Sequence, residues 1–242
     1  MDAAPQLSVI EQAVLARVRQ LAPPAGARVL DVPCGTGALV SALDSAGFDA
    51  YGTDVVQVAA ARLGQKFRRA DLGGGIPAAD AHYDLVVSVE GIEHMENPYG
   101  FVRELHRVLK PGGTCIVTTP NVVSLRSRMR FFGSGFYHQD PRPLNESSRH
   151  PLHHISLATF AELRYALHTA GFAIVDVSHT HIKPISRLYA VFYPWIAVYT
   201  MMAFRKEKDA AQRARNKEIS RTLLAPSLLF GENVMIVAQR KR

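Results

Sequence analysis

The sequence predicts an α/β fold, a mostly parallel sheet with helices on both faces. Three observations predict it. Apolar runs of strand length alternate with segments of helical periodicity from residue 9 to about residue 120. Some runs, such as Leu85 to Val89, are almost continuously apolar, as strands covered on both sides are. The first run ends in an acidic residue and turns through Gly35 and Gly37 into a stretch of small residues, which is how a doubly wound sheet opens.

Each element has its own signal. Val9, Ile10, Val14, Leu15 and Val18 recur at helical spacing, and Pro23-Pro24 ends that helix. Arg28 to Val32 reads as the first strand, and a helix follows to Ala46. Gly47 to Thr53 is a second strand, Val55 to Leu63 a helix, Phe67 to Ala70 a third strand and Tyr83 to Val89 a fourth. Phe101 to Leu109 is a helix closed by Pro111-Gly112-Gly113, and Thr114 to Thr119 is a fifth strand closed by Pro120. The rhythm stops at Asn121. Order returns with a helix from Leu157 to Ala170, a strand from Phe172 to Val177 and a last strand from Asn233 to Ala238. The whole chain, 1–242, reads as a single domain, with 121–154 as a cap over the site where a substrate would enter.

Composition sets the outer bounds. The chain of 242 residues is 48% hydrophobic and 20% charged, which excludes a wholly disordered or collagen-like protein and allows a large core. Two cysteines, Cys34 and Cys115, exclude a disulfide-rich secreted module, and no Cys-x-x-Cys pair suggests structural zinc. The stretch Met1-Asp-Ala-Ala-Pro5 has no basic or apolar leader character, so a cytoplasmic location is expected. A net charge of +7 suits nucleic acid, anionic lipid or an anionic small substrate, or simply a solvated surface.

The strongest chemical signal is Asp31-x-x-x-Gly35-x-Gly37 at the end of the first strand. Glycine opens backbone conformations closed to other residues and lets a ligand approach the main chain. Asp54 closes the second strand, where a carboxylate can accept hydrogen bonds from both hydroxyls of a ribose. Asp71-Leu72 follows the third strand, placed to hold an adenine amino group and ring. A nicotinamide-dependent dehydrogenase would need a third glycine at position 40, which is Val40.

With the Leu109-Lys-Pro-Gly-Gly113 turn, these residues make the sequence resemble the class I S-adenosylmethionine-dependent methyltransferases over about residues 28–120. The resemblance implies a Rossmann-like, seven-stranded, mostly parallel sheet whose last strand is antiparallel, and Gly231 to Ala238 fits that strand. It implies S-adenosyl-L-methionine as cofactor, held by Asp31, Pro33, Gly35, Gly37, Asp54, Val55, Asp71, Leu72 and Val89. Pro33 stands where the family usually has its first glycine. Proline fixes φ and removes a donor, so altered contacts are expected there, with binding retained.

The fourth strand runs into Glu90-Gly-Ile-Glu93-His94, at the sheet edge where ligands bind in open α/β folds. Spacing i, i+3, i+4 would put Glu90, Glu93 and His94 on one face of a helical turn, a donor set for a divalent cation. A fourth ligand would come from His150, His153 or His154. This constellation resembles two methyltransferase branches with a Glu-x-x-Glu-His motif, the ubiquinone-biosynthesis O-methyltransferases and the small-RNA 3′-terminal 2′-O-methyltransferases. Carried over, the metal set is Glu90, Glu93, His94 and His154, for magnesium or manganese. His154 is preferred to His153 only for its distance from the following helix. Two other readings stay open: a metal-free site in which His94 is the catalytic base or an orienting group, and a purely structural role.

The stretch 121–154 holds Arg126, Arg128 and Arg130; a helix would spread them around its surface, a strand would line them on one face, and they would hold a phosphate or carboxylate or simply be solvated. Phe131, Phe132, Phe136 and Tyr137 would stack on a planar substrate or pack the cap, and packing is favoured for at least two of them. Leu188 to Phe204 contains no charge but holds Trp195 and three tyrosines, and 205–221 carries seven Lys/Arg against three Asp/Glu. As an apolar-then-basic helical segment, 185–221 reads as a helix lying on the inner face of an anionic membrane through 188–221, as a helix buried under the sheet, or as a dimer contact.

The expected function is methyl transfer from S-adenosylmethionine to oxygen of a small or lipid- or glycan-linked acceptor, such as a quinone precursor. One alternative is metal-dependent RNA 2′-O-methylation, although no RNA-binding signature is present. Another is a non-catalytic adaptor that binds the cofactor and meets a partner through 188–221; the intact cofactor signature opposes it.

Overall fold

The computed structural model describes residues 6–137, 143–147 and 150–242. Seven strands build one sheet: β1 (Arg28–Asp31), β2 (Asp49–Asp54), β3 (Phe67–Arg69), β4 (Tyr83–Val89), β5 (Leu109–Pro120), β6 (Phe172–His179) and β7 (Asn233–Arg240). Their order across the sheet is β3-β2-β1-β4-β5-β7-β6. Pairings from β3 to β5 are parallel, and β7 is antiparallel to both β5 and β6. This is the expected Rossmann-like sheet with its antiparallel last strand.

The period-two alternation of side chains sorts the core into two layers. Val29, Leu85, Val87, Ile116, Met235 and Val237 face one side. There they meet Val14 and Val18 of α1 (Val9–Leu21), and Leu39 and Leu43 of α2 (Ala38–Ser45). Leu30, Val86, Cys115, Val117, Val234 and Ile236 face the other. They are covered through Phe101, Leu105 and Val108 after the short α3 (Ala60–Leu63), in α4 (Pro98–Val108). Beyond α5 (Leu125–Ser134), Phe160, Leu163 and Leu167 of α6 (Phe160–Thr169) complete the same layer.

The helices begin where capping chemistry allows. Ser8 with Glu11 and Thr159 with Glu162 form capping boxes on α1 and α6, satisfying first-turn N–H groups that have no partner within the helix. The Asn97 side chain accepts from the Gly100 N–H, with Pro98 in the first turn of α4.

Four expectations are corrected. β5 starts at Leu109, five residues early, because the register jumps from Tyr83↔Leu109 to Leu85↔Thr114 and Gly112, at φ +80°, absorbs the bulge. The region after Asn121 carries α5, with Ser124 as its N-cap, so Arg126, Arg128 and Arg130 do spread around a helix. The helix expected over 55–63 is three short turns at 57–59, 60–63 and 64–66, since Asp54 Oδ1 takes the Val56 N–H and delays its start. The uncharged run splits into a 3₁₀ segment, 184–192, and α7 (Tyr193–Phe204), whose first turn contains Pro194. Two further helices, α8 (Ala210–Leu223) and α9 (Pro226–Phe230), lead into β7. Residues 138–142 and 148–149 of the expected cap lie outside the described residues.

Candidate active site

The strand order reverses direction at β1, so a crevice opens beyond the carboxyl ends of β1, β2 and β4. The turn after β1 is fastened to both neighbours. The Val32 N–H donates to the Val87 carbonyl at 3.0 Å and the Cys34 N–H to the Thr53 carbonyl at 3.0 Å. The Gly35 N–H donates to Asp54 Oδ2 at 2.8 Å, and Asp54 Oδ1 accepts from the Val56 N–H at 2.9 Å. Gly35 and Gly37 have φ of +52° and +76°, a region that favours glycine. A Cβ on Gly37 would lie 2.9 Å from Leu63 Cδ1, whereas one on Gly35 would meet nothing within 4 Å. The turn is tight toward the protein and open above Gly35.

Asp31 lies buried at the floor of this crevice. Burial, followed by the Glu11 and Asp54 carboxylates, raises its pKa well above the usual carboxylate range. Its Oδ1 is buried without a hydrogen-bond partner. Asp54 accepts one backbone N–H on each carboxylate oxygen, and each oxygen retains a further lone pair. A ligand with a cationic amino group and ribose hydroxyls therefore fits this donor and acceptor set. At the crevice edge Asp71 Oδ1 accepts from the Gly73 N–H at 2.9 Å, and Leu72 beside it is buried. Val55 is exposed, and Val89 is half-buried against the α1–α2 layer. Pro33 bears on Gly91, where a Cβ would approach its Cδ to 2.3 Å.

A second group forms where β4 ends. Residues 92–94 make one 3₁₀ turn. Ligand atoms of Glu93, His94 and His154 lie within 4.8 Å of one another. Glu90 is not in that cluster. It precedes the turn with φ +48°, its N–H donates to Thr118, and its Oε2 accepts from Asn233 Nδ2 at 2.6 Å. One face of an α-helical turn, expected for Glu90, Glu93 and His94, is thus replaced by a kink that separates Glu90 from the other two.

Glu93 is fully buried. Burial, and then the Glu90 carboxylate, pushes its pKa well up. Its Oε2 accepts from Thr119 Oγ1 at 2.9 Å, while its Oε1 has no hydrogen-bond partner among the described residues. Burial likewise raises Glu90. His94 Nδ1 sits 3.0 Å from the His153 carbonyl. A carbonyl only accepts, so Nδ1 carries a proton, and Nε2 is the ring nitrogen left open to other partners. The His94 and His154 rings are 5.0 Å apart. Segment 153–156 is strapped to the turn by the Ser156 N–H to the Glu93 carbonyl, 2.9 Å, and by Ser156 Oγ to the Met95 carbonyl, 2.6 Å.

An orphaned buried carboxylate oxygen beside two imidazoles fits a divalent cation in chemistry and in number of donors. Glu93, His94 and His154 would hold it.

Thr118, Thr119, Asn233, Ser156 and Gly91 escape a reading by motif. Their signal is topological: β5 ends where β7 begins, because the two are antiparallel, so Thr118, Thr119 and Asn233 reach the same edge as Glu90.

The fold is a Rossmann-like sheet whose first turn, with Asp31 and Asp54 beside it, presents acceptors that suit an adenosine-bearing ligand. A family model described as a methyltransferase domain matches residues 8–177, and the chain belongs to that family. The chain thus carries a methyltransferase domain over most of its length. A relative from Mycolicibacterium smegmatis, named "Probable S-adenosylmethionine-dependent methyltransferase/", is 33% identical over 156 residues, 63% of this chain and 54% of that protein. The chain thus spans about half the length of that relative. A ubiquinone biosynthesis O-methyltransferase of Paracidovorax citrulli is 27% identical over 198 residues, 77% of this chain and 80% of that one. A solved S-adenosylmethionine-dependent methyltransferase from Mesorhizobium loti has a TM-score of 0.56 at 18% identity, covering 96% of this chain and 100% of that one. The [4+2]-cyclase SpnF also reaches 0.56, at 21% identity and 99% and 84% coverage, so the shared architecture fixes the fold and leaves the reaction to the site.

Proposed function

We propose that this enzyme methylates an oxygen of a small or lipid- or glycan-linked acceptor, with His94 receiving the acceptor's proton. The observation that carries the reading is the orientation of His94, because the His153 carbonyl ties up Nδ1 and leaves Nε2 as the nitrogen open to an acceptor's proton, beside Glu93 and His154. Similarity to proteins named ubiquinone biosynthesis O-methyltransferase supports oxygen as the methylated atom.

S-adenosylmethionine, when bound, supplies an electrophilic methyl group on a sulfonium, so the protein's work is positioning and proton handling. Asp31 would pair with the cofactor's amino group, Asp54 with the ribose hydroxyls, and Asp71 with Leu72 would hold the adenine. His94 Nε2 would take the proton of the acceptor oxygen as that oxygen accepts the methyl group. Glu93, buried beside His94 and hydrogen-bonded by Thr119, would form part of the pocket wall.

A second reading is favoured by the orphaned Glu93 Oε1. Glu93, His94 and His154 hold magnesium or manganese, which when bound supplies Lewis acidity to the acceptor hydroxyl. RNA as acceptor remains a third arm of the same test.

The test is methyl transfer from labelled S-adenosylmethionine to hydroxylated aromatic quinone-precursor analogues and to RNA, with the methylated atom identified in the product. His94→Gln is expected to lower kcat by about 10²–10⁴ while cofactor affinity holds. Full activity of His94→Gln, or methylation only at carbon or nitrogen, refutes the proposal. Dialysis against a chelator separates the two forms: loss with rescue by magnesium or manganese selects the metal-holding one, and unchanged activity selects His94 alone.

A further inference from the structure

From Lys183 to Lys208 the chain carries five basic residues and one acidic residue, and all the charge lies outside Leu188 to Phe204. The apolar part of this stretch is not buried under the sheet. Leu188 is 71% exposed, Val191 74%, Trp195 68% and Tyr199 66%. Ser186 alone is buried in the 184–192 segment and Ile196 alone in α7. An apolar helix in a water-soluble setting normally turns a broad face to the core; α7 turns little more than Ile196, which meets Leu125 and Leu229. The patch continues onto α5, which packs on the same small cluster and projects Phe132, 87% exposed.

We infer that this face, built from 184–204 and the end of α5, is a docking surface for an anionic lipid bilayer. Three features select that occupant. The aromatic residues include Trp195 and two well-exposed tyrosines, Tyr193 and Tyr199, the types whose rings settle at the level of lipid headgroups. Exposed Arg187, Arg205, Lys206 and Lys208 flank the apolar patch, so a surface that accepts it also meets four cations. Within 121–137, Arg130 adds an exposed charge of the same sign on the helix that carries Phe132. A second copy of the chain is a poor occupant, because a two-fold contact would bring these cations against themselves. No helix among the described residues is long and apolar enough to cross a membrane, so the arrangement is one that lies on the surface.

The fold connects this surface to the active site. Glu232 accepts from Ser186 Oγ at 3.1 Å and pairs with Lys183 at 3.0 Å and Arg126 at 3.2 Å. The next residue, Asn233, holds Glu90. The docking face and the crevice are thus joined through Glu232 and Asn233, the residue before β7 and the first residue of β7.

Trp195 is the chain's one tryptophan and reports on its own environment. Full-length protein is titrated with phosphatidylcholine vesicles and with vesicles mixed with phosphatidylglycerol, at low and high salt, without any acceptor. The expected result is a blue shift of Trp195 emission and flotation with the anionic vesicles, quenching by brominated lipid, and loss of both at high salt. Lys206→Glu with Lys208→Glu, and separately Trp195→Ser with Tyr199→Ser, should each weaken flotation by about tenfold or more. Both variants should keep wild-type affinity for S-adenosylmethionine. No shift and no flotation at low salt overturns the inference, as does unchanged flotation of the two variants. Concentration-dependent dimers dispersed by Trp195→Ser with Tyr199→Ser also overturn it, in favour of an interface between copies. Vesicle binding is read without methyl transfer, so its outcome is independent of the proposed acceptor.

Discussion

Replacing Glu232 by Gln removes one charge from the junction between α5, the 184–192 segment and β7. Glu232 is 4% exposed and faces Arg126, whose side chain is 23% exposed, and Lys183, which is 50% exposed. A half-exposed lysine pair contributes about 0–1 kcal/mol. The more enclosed Arg126 pair, with a charged hydrogen bond of about 1.5–3 kcal/mol in a buried setting, contributes more. Gln keeps the shape and one acceptor for Ser186, so the net loss is about 2 kcal/mol. In a chain of this size that lowers Tm by roughly 4–8 °C. Burial alone would raise the pKa of Glu232, but Lys183, Ser186 and Arg126 override it and hold the group below the usual carboxylate range. A depressed folded pKa means stability that is present above the unfolded value and lost as pH falls through the folded one. The difference in Tm between wild type and Glu232→Gln, measured by calorimetry, should be full at pH 7. It should shrink below roughly pH 4.5, the ordinary value for a glutamate. Equal melting at pH 7, or a gap that persists after Glu232 is protonated, refutes the reasoning.

Two further predictions concern packing. Gly91→Ala places a Cβ 2.3 Å from Pro33 Cδ at a φ of −117°, so the whole cost is steric, and about 1–3 kcal/mol of destabilisation is expected in thermal melts. A wild-type melting curve for Gly91→Ala would show that Pro33 and the β4 end are not in contact. Leu105→Ala empties a fully buried site between α4 and the sheet and should cost about 2–5 kcal/mol in urea denaturation, with cofactor affinity per folded molecule unchanged.

Much of the sheet was legible because burial on two faces leaves an unmistakable apolar run, as in Leu85 to Val89. The cofactor turn was legible because its glycines and carboxylates are adjacent in sequence. The segment after Asn121 was harder. The N-cap of α5 is Ser124, but three arginines within six residues mask the apolar face, of which Leu125 alone is fully buried. The grouping of Glu93, His94 and His154 followed from the motif, whereas the exclusion of Glu90 did not. That depends on a positive φ at Glu90 and on Asn233, a residue 143 positions away that only the antiparallel β7 brings near. The fate of 188–204 was equally closed to sequence, since a run without charge looks the same whether it is buried or left bare.

Isothermal titration with S-adenosylmethionine reads out whether the crevice over Gly35, between Asp31 and Asp54, holds that cofactor. One site per chain is expected, with affinity weakened by about tenfold or more in Asp54→Ala, which removes charge-assisted hydrogen bonds of about 1.5–3 kcal/mol. Wild-type protein that binds no S-adenosylmethionine, or an Asp54→Ala variant that is folded and binds as tightly as wild type, would contradict that expectation.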